Sequence, residues 1–171
     1  NAAAAITALD ALRDRCPVST GALREGLTTV ALPGRFQVLP GRPVTILDVA
    51  HNPHAAQCLA GALGAMEITG KTHAVFAMLG DKDIAGVARL VKPHVDRWYL
   101  APLPGPRGTD PEDLARALDE AEVLDAVERH ASVAEAFAAA RDAARPDDRI
   151  LVFGSFLTVA AALDFLRRAG T

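Results

Sequence analysis

From Arg35 onward, short β-rich apolar runs alternate with helical patterns, and this alternation limits the possible folds more than any other feature. Short apolar runs bounded by turn residues are typical of strands buried on both faces of a parallel sheet. Parallel strands need long crossover connections, and the connecting helices then cover both faces of the sheet. We therefore predict an α/β fold with a Rossmann-like, open, mostly parallel sheet of about six strands. The predicted strands are Arg35–Leu39, Val44–Val49, Thr72–Leu79, Arg97–Leu100, Val127–His130 and Arg149–Phe153.

Residues that can cap a helix stand directly before several of the helical patterns. A side-chain oxygen at this position accepts a hydrogen bond from a free N–H group of the first turn, so it marks where a helix begins. These start signals are Asn52 before Pro53, Asp110 before Pro111, Ser132 with Glu135 three residues later, and Ser155 after Gly154.

The first 31 residues have a different pattern. An Ala-rich stretch carries apolar residues at helical spacing, and Ser19 or Thr20 can cap a second short helix that follows Pro17. We predict a helical appendage over residues 1–31 and the sheet domain over residues 32–171. Because the chain opens at Asn1 without a methionine, we expect it to be a fragment of a longer protein.

Composition and charge exclude two classes of partner. With 171 residues, of which 50% are hydrophobic, the chain can bury the core of one domain. The net charge of −3 is spread along the sequence, so a basic field for nucleic acid is not expected. No apolar run approaches the roughly 20 residues that a membrane helix needs, and no signal peptide is recognisable. We expect a cytoplasmic protein without a membrane partner.

Four turns carry polar side chains from which a ligand site could be built. In an open parallel sheet, ligands bind beyond the carboxyl ends of the strands, where turns aim side chains and helix N-terminal N–H groups at one crevice. We expect the candidate site at this edge. The four turns are Leu32–Arg35, Asp48–His54, Leu79–Asp83 and Phe153–Phe156.

Three of these turns have both a chemical and a structural interpretation. Asp48 can hydrogen-bond a ribose diol and His51 can meet an anion; alternatively, Asp48 supports the turn, His51 is exposed and Asn52 caps a helix. Arg35 offers a planar donor fork to phosphate, although Pro-Gly-Arg is also common in ordinary turns. Ser155 can bind a carboxylate together with nearby N–H groups, or it caps the last helix.

The other reactive side chains give weaker signals. Leu79–Asp83 also lies at the crevice edge, but it could be a solvated turn in which Asp83 caps the next helix. The two cysteines lack paired spacing and are expected to be reduced, buried thiols. Three histidines lack metal-ligand spacing, so no metal site is predicted on this chain. These residues are Cys16, Cys58, His73, His94 and His130.

In their order and spacing, the four turns resemble the C-terminal part of the bacterial folylpolyglutamate synthase/dihydrofolate synthase family, within the Mur ligase superfamily. The most specific portion is Pro33-Gly34-Arg35 followed by Asp48-Val49-Ala50-His51-Asn52-Pro53. Val49 stands where the family often has Gly, which should be tolerated if this residue faces the sheet. The resemblance covers essentially all 171 residues, with further matches at Asn1–Ala3, Asp81–Asp83, Pro106-Arg107 and Phe153–Phe156.

The resemblance implies a ligase that joins the carboxylate of dihydropteroate or a folate to the α-amino group of L-glutamate, with hydrolysis of ATP. An acyl phosphate forms first, and the amine then attacks it with stabilisation from Mg²⁺ and cationic side chains. Residues 1–31 would be the tail end of a central ATPase domain, which mainly holds the metal. Residues 32–171 would be the C-terminal domain that closes over ATP. The parent enzyme is expected to be a monomer.

Matched residue by residue, the resemblance also implies contacts with ATP and glutamate. It places Asn1 at the adenine, Arg35 at the phosphates and Asp48 at the ribose. His51 matches a histidine near the phosphate and glutamate end of the cleft, with an expected catalytic role, and Ser155 lies on the turn implicated in glutamate binding. A cleft position without an assigned role is expected for Asn52, Asp81, Lys82 and Arg107.

Several parts of such a ligase are missing from the sequence, namely a P-loop, the magnesium-binding domain, a lysine of the carbamylated type and a pterin pocket. We therefore expect the isolated chain to have no ligase activity. Two alternatives remain open. One is another Mur-type amino acid ligase, against which the PGR and AHNP residues argue. The other is a non-catalytic α/β binding module.

Overall fold

The computed structural model describes residues 2–123 and 126–170 and divides the chain into two compact units, with the boundary between Leu32 and Pro33. The first unit holds helices α1 (Ala2–Ala11) and α2 (Thr20–Thr29), and neither helix has a buried residue. Ser19 caps α2, because its hydroxyl oxygen accepts a hydrogen bond from Ala22 N at 3.1 Å. Both helices lie within residues 1–31, the segment for which a helical appendage is predicted.

The second unit contains a six-stranded sheet in the order β1-β2-β6-β3-β4-β5. The edge strand β1 pairs antiparallel with β2, and every other pair is parallel. This confirms the mostly parallel sheet. The third strand ends three residues earlier than predicted, and Leu79 instead forms an isolated antiparallel bridge with Gly108. The strands are β1 (Gln37–Leu39), β2 (Val44–Asp48), β3 (Thr72–Phe76), β4 (Arg97–Leu100), β5 (Ala126–Arg129) and β6 (Arg149–Phe153).

Helices cover both faces of the sheet, and each face has its own apolar cluster. Helices α3, α4 and α5 pack around Phe76, Trp98 and Phe153 on one face, whereas α6 and α7 pack around Tyr99 and Phe137 on the other. A short 3₁₀ turn, Lys92–His94, follows α4. The helices are α3 (Pro53–Ala65), α4 (Ile84–Val91), α5 (Pro111–Glu120), α6 (Val133–Ala143) and α7 (Phe156–Arg168).

The parallel strands end level with one another. Asp48 lies opposite Phe153, which lies opposite Phe76, which in turn lies opposite Leu100. Strand β6 is inserted between β2 and β3, and the helices that follow β2 and β6 go to opposite faces of the sheet. Such a change of face between neighbouring strands marks a topological switch point, beyond which ligands commonly bind in α/β sheets.

Both cysteines are free but exposed, so the prediction of buried thiols is wrong. Cys16 follows α1, a helix without buried residues. Cys58 is on α3, next to the inward-facing Leu59, on the side of the helix that turns away from the sheet.

Within residues 2–123 and 126–170, no helix is long and apolar enough to cross a membrane.

A buried polar group at the opposite edge links the starts of the strands. The Asp148 carboxylate accepts hydrogen bonds from Lys71 N and Arg145 N, each at 2.7 Å, and lies 3.2 Å from His73 Nε2. His73 Nδ1 lies 3.0 Å from the Tyr99 hydroxyl. Burial by itself raises the pKa of Asp148, but the two backbone hydrogen bonds and His73 together hold it below its ordinary value. The ionised carboxylate therefore helps to fix the register of β3, β4 and β6.

We predict that Asp148→Asn lowers the free energy of unfolding at pH 7 by about 1.5 to 3 kcal/mol, since the variant loses hydrogen bonds to a buried charge. Because the folded-state pKa lies below the unfolded value, this stabilisation is present above the ordinary carboxyl pKa and is lost as pH falls through the folded-state pKa. Urea unfolding at pH 7 and at strongly acidic pH measures both effects. Asp147→Asn is the control, since this exposed neighbour pairs with exposed Arg42 and should change stability by less than about 1 kcal/mol. An equal loss in both variants would contradict the account.

Candidate functional site

The carboxylate of Asp48 connects the two turns that flank the first strand pair. Its Oδ1 accepts a hydrogen bond from Ala50 N and its Oδ2 accepts one from Phe36 N, both at 2.7 Å. Val49 N also donates to the Gly34 carbonyl oxygen at 2.8 Å. The predicted supporting role of Asp48 is therefore present in the structure. Each carboxylate oxygen can accept a further hydrogen bond, so this half-buried side chain could also accept hydrogen bonds from a ligand hydroxyl.

The Pro33-Gly34-Arg35 turn has a backbone that few sequences adopt. Gly34 has φ +69°, and an added β-carbon there would meet Val49 Cγ1 at 3.0 Å. Phe36 also has a positive φ, of 41°, and its N–H is the group that Asp48 binds. Arg35 lies between these two residues and is exposed. Val49 is completely buried in the apolar cluster on the α6 and α7 side of the sheet. It therefore faces the sheet, which is the condition under which Val was expected to be tolerated where the family often has Gly.

Three turns contribute one side chain each to a cluster at the carboxyl edge. Arg35 Cζ lies over the Phe156 ring, 5.6 Å from its centroid. The His51 ring centroid is 6.4 Å from that of Phe156, with an interplanar angle of 46°. Arg35 and His51 are predicted site residues, whereas Phe156 belongs to the Phe153–Phe156 turn, in which the sequence indicates a role for Ser155 alone.

His51 is held in one tautomer by its own turn. Its Nδ1 lies 2.8 Å from the Val49 carbonyl oxygen, which can only accept a hydrogen bond, so Nδ1 carries a proton. In the neutral imidazole, Nε2 then has a free lone pair. Nε2 has no hydrogen-bond partner within the described ranges, so it is the atom that can act on a ligand.

Asn52 and Ser155 both cap helices that begin at this edge. Asn52 Oδ1 accepts a hydrogen bond from Ala55 N at 2.9 Å, and Ser155 Oγ accepts one from Leu157 N at 3.2 Å. The structural interpretation of each residue is therefore correct. Ser155 is 6% exposed, and its O–H group is still available as a donor. The N-termini of α3 and α7 carry partial positive charge and face the same edge as Arg35.

Asp81, Lys82 and Arg107 form a separate group around the end of β3. Asp81 Oδ2 lies 2.7 Å from Arg107 Nη2 and 3.6 Å from Lys82 Nζ. The hydrogen bond from Arg107 lowers the pKa of the Asp81 carboxyl. Gly80 N also donates to the Arg107 carbonyl oxygen at 2.9 Å, which joins the two loops. Two cations share one carboxylate, so the group keeps a net positive charge, and within residues 2–123 and 126–170 its ion pairs and hydrogen bonds do not include Arg35 or His51.

Two further residues complete the predicted set. Asp83 caps α4, since its Oδ1 accepts a hydrogen bond from Gly86 N at 2.8 Å. Asn1, expected at the adenine, lies outside the described residues. Within the ranges that are described, no group of three or more His, Cys, Asp or Glu side chains could hold a metal ion. The chemistry of this edge therefore comes from a guanidinium, an imidazole, two helix N-termini and a buried hydroxyl, a set suited to anionic ligands.

The chain is similar to a known family and to proteins of known activity. The family described as Mur ligase, glutamate ligase domain matches residues 34–156. The dihydrofolate synthase/folylpolyglutamate synthase of Escherichia coli (strain K12) is 46% identical over 169 residues, which cover 97% of this chain and 39% of that protein. The chain thus spans about two-fifths of the length of this relative.

Solved structures show the same relationship. The structure of E. coli FolC in complex with DHPP and ADP has a TM-score of 0.88 at 43% identity, covering 99% of this chain and 39% of that one. A structure of a bifunctional folylpolyglutamate synthase/dihydrofolate synthase with Mn, AMPPNP and L-glutamate bound has a TM-score of 0.78 at 44% identity. The match covers 90% of this chain and 36% of that one.

The turn before α7 gives a direct test of how this edge is built. Gly154 has φ +115°, and a β-carbon there would collide with the Ala77 carbonyl oxygen. We predict that Gly154→Ala lowers the free energy of unfolding by about 2 kcal/mol or more, through backbone strain and this collision. Gly61→Ala is the matched control, since Gly61 lies within α3 with nothing within 4 Å of its added β-carbon. It should raise stability by about 0.5 to 1 kcal/mol in the same denaturant titration. Similar changes in both variants would refute the assigned role of Gly154.

Proposed function

The chain belongs to the Mur ligase, glutamate ligase domain family, and from that premise we propose that it is the C-terminal domain of an ATP-dependent ligase. This ligase forms an amide bond between L-glutamate and the carboxylate of a folate or dihydropteroate. The observation that carries the proposal is the cluster of Arg35, His51 and Phe156 beside two helix N-termini at one sheet edge. The names of the relatives and of their bound molecules support the choice of substrates.

The proposed reaction has two balanced steps. A carboxylate oxygen of the folate substrate attacks the γ-phosphorus of ATP, which forms an acyl phosphate and releases ADP. The deprotonated α-amino nitrogen of glutamate then attacks the acyl carbon, so that a C–N bond forms and the C–O bond to phosphate breaks. The products are the amide, ADP, inorganic phosphate and one proton. Mg²⁺ neutralises phosphate charge in such reactions. The described residues of this chain include no group of three or more His, Cys, Asp or Glu side chains that could hold a metal ion. No step of the reaction is therefore assigned to a metal bound by these residues.

Each residue of the cluster can be given a role in this scheme. Arg35 lacks an ion-pair partner among the described residues, and its guanidinium can bind ATP phosphate oxygens through a planar donor fork. Asp48 fixes the turn that carries Arg35 and can also accept hydrogen bonds from the ribose diol. The lone pair of His51 Nε2 can accept a hydrogen bond from the glutamate ammonium group and receive its proton. The Ser155 hydroxyl and the N-terminus of α7 can bind a glutamate carboxylate.

The proposal extends to the protein of which this chain would be a part. Residues 1–31 would then be the end of a central domain that binds ATP and Mg²⁺, and Asn1 would contact adenine. Closure of the two domains would exclude water from the acyl phosphate. The isolated 171-residue chain should show no ATP-dependent glutamate addition. Because the reaction draws on ATP, we propose a cytoplasmic location, and we propose that the parent enzyme is a monomer.

We predict that Arg35→Ala in the full-length protein lowers kcat/KM for ATP by about 10- to 150-fold, since one charge-assisted phosphate contact contributes about 1.5 to 3 kcal/mol. The assay measures ADP release that depends on both glutamate and dihydropteroate or a folate. Arg42→Ala is the matched control, because Arg42 is exposed and pairs with Asp147. Unchanged ATP kinetics in the Arg35 variant would argue against the phosphate role.

We predict that Ser155→Ala raises the KM for glutamate more than the KM for ATP, because the lost hydroxyl lies at the proposed glutamate end. The substitution also removes a helix cap, so Ser132→Ala serves as the control. Ser132 caps α6 in the same way, with its Oγ accepting a hydrogen bond from Glu135 N at 3.1 Å. If Ser155→Ala changes the KM for glutamate and the KM for ATP by the same factor, as Ser132→Ala is expected to do, Ser155 has no specific role in glutamate binding.

A further inference from the structure

Phe156 is a large aromatic side chain that the core does not use. It is the first residue of α7 and is 58% exposed, whereas Val159 and Ala162 of the same helix are buried against the sheet. Phe76, Phe137 and Phe153 are completely buried. An exposed ring by itself is unremarkable in a folded protein. What distinguishes Phe156 is that its recorded ring contacts are with the two side chains proposed to act on the ligands, Arg35 and His51.

The contact with Arg35 has the geometry of a cation–π interaction. The Arg35 Cζ lies over the ring at 5.6 Å from its centroid, within the roughly 6 Å over which such interactions are significant. Arg35 has neither an ion pair nor a side-chain hydrogen bond within residues 2–123 and 126–170. The Phe156 ring is therefore the group that restricts this long, exposed side chain, which would otherwise lose considerable rotamer freedom on binding a ligand.

An aromatic partner differs from an acidic partner in a way that matters for phosphate binding. A carboxylate would occupy the N–H groups of the guanidinium and neutralise its charge, as Asp81 does for Arg107 with a 2.7 Å contact. A phenyl ring carries neither a negative charge nor an acceptor oxygen, so it leaves the five N–H donors of the guanidinium unpaired. The N–H groups and the full positive charge of Arg35 consequently stay available to an anion.

We propose that Phe156 is a positioning residue that holds the Arg35 guanidinium toward the ATP phosphates. This inference rests on the proposed function and adds a residue to it. Phe156 does not touch the reacting atoms in this account. It acts through Arg35, so its effect disappears when Arg35 is absent.

The contact itself is tested in the 171-residue chain without any ligand, by NMR of the Arg35 side chain. The ring current of Phe156 should shift the Arg35 δ-proton and Nε–H resonances, and Phe156→Leu should abolish the shift while Phe156→Tyr retains it. Leu157→Ala is the matched control, because Leu157 is the adjacent residue and is 46% exposed without a ring contact. Arg35 resonances that are the same in the wild type and in Phe156→Leu would overturn the proposal.

The consequence for catalysis is tested in the full-length protein. Phe156→Leu should raise the KM for ATP about two- to fivefold, the range expected for an exposed cation–π interaction. The KM for glutamate should change less than twofold, and Phe156→Tyr should restore the wild-type value for ATP. In an Arg35→Ala background, Phe156→Leu should have no further effect. Additive losses in the double variant would overturn the proposal, since the ring would then contact the ligand directly. If the full-length protein lacks the proposed ligase activity, the proposed function fails, whereas the NMR experiment still decides whether Phe156 holds Arg35.

Discussion

The carboxylate of Asp48 accepts one hydrogen bond from each of two turns, and the geometry of the whole site depends on it. The bond to Phe36 N stabilises a backbone with φ +41°, which an aromatic residue rarely adopts. This turn places Arg35 at the carboxyl ends of the parallel strands, with its guanidinium over the Phe156 ring. The bond to Ala50 N shapes the other turn, from which His51 projects. One side chain thus sets the positions of both the cation and the imidazole.

The amino ends and the carboxyl ends of the parallel strands carry different kinds of polar side chains. At the amino edge, Asp148, His73 and Tyr99 form a buried polar group that connects the starts of three parallel strands. That group satisfies its own hydrogen-bonding needs. At the carboxyl edge, the Arg35 donors and the His51 Nε2 lone pair have no hydrogen-bond or ion-pair partner among residues 2–123 and 126–170. The hydrogen bonds at the amino edge stabilise the register of the parallel strands. This register brings together, at the carboxyl edge, turns that are far apart in sequence.

The sequence was sufficient to predict features that depend on local chemistry. The six strands follow from apolar runs, and Asn52, Asp110, Ser132 and Ser155 cap helices as their side chains predicted. The position of β6 between β2 and β3 could not be derived from apolar runs. Several parallel strands have similar apolar composition, so their sequences do not specify which strands pair with each other. The antiparallel direction of β1 also depends on contacts distant in sequence.

The site was predictable in part for the same reason. Arg35 and His51 stand out by residue type and by resemblance to a family, but the partner of a side chain is a tertiary property. Thus the pairing of Asp81 with Arg107, 26 residues away, appears only in the structure, while the expected cleft position of both residues stays a prediction. Phe156 carried no chemical signal, since a single aromatic residue at a helix start is most simply interpreted as an apolar contact. Its significance appears only when Arg35 is found over its ring.

We propose that the carboxyl edge of the sheet binds nucleotide and glutamate in the longer protein to which this chain would belong. Hydrogen–deuterium exchange of that protein, with and without AMPPNP and L-glutamate, tests it most directly. The account predicts slower exchange on ligand addition in residues 34–36, 48–52 and 153–157, and unchanged exchange at the amino edge in residues 71–73 and 145–149. Protection that appears at the amino edge, or that leaves all three carboxyl-edge segments unchanged under saturating ligand, would contradict it.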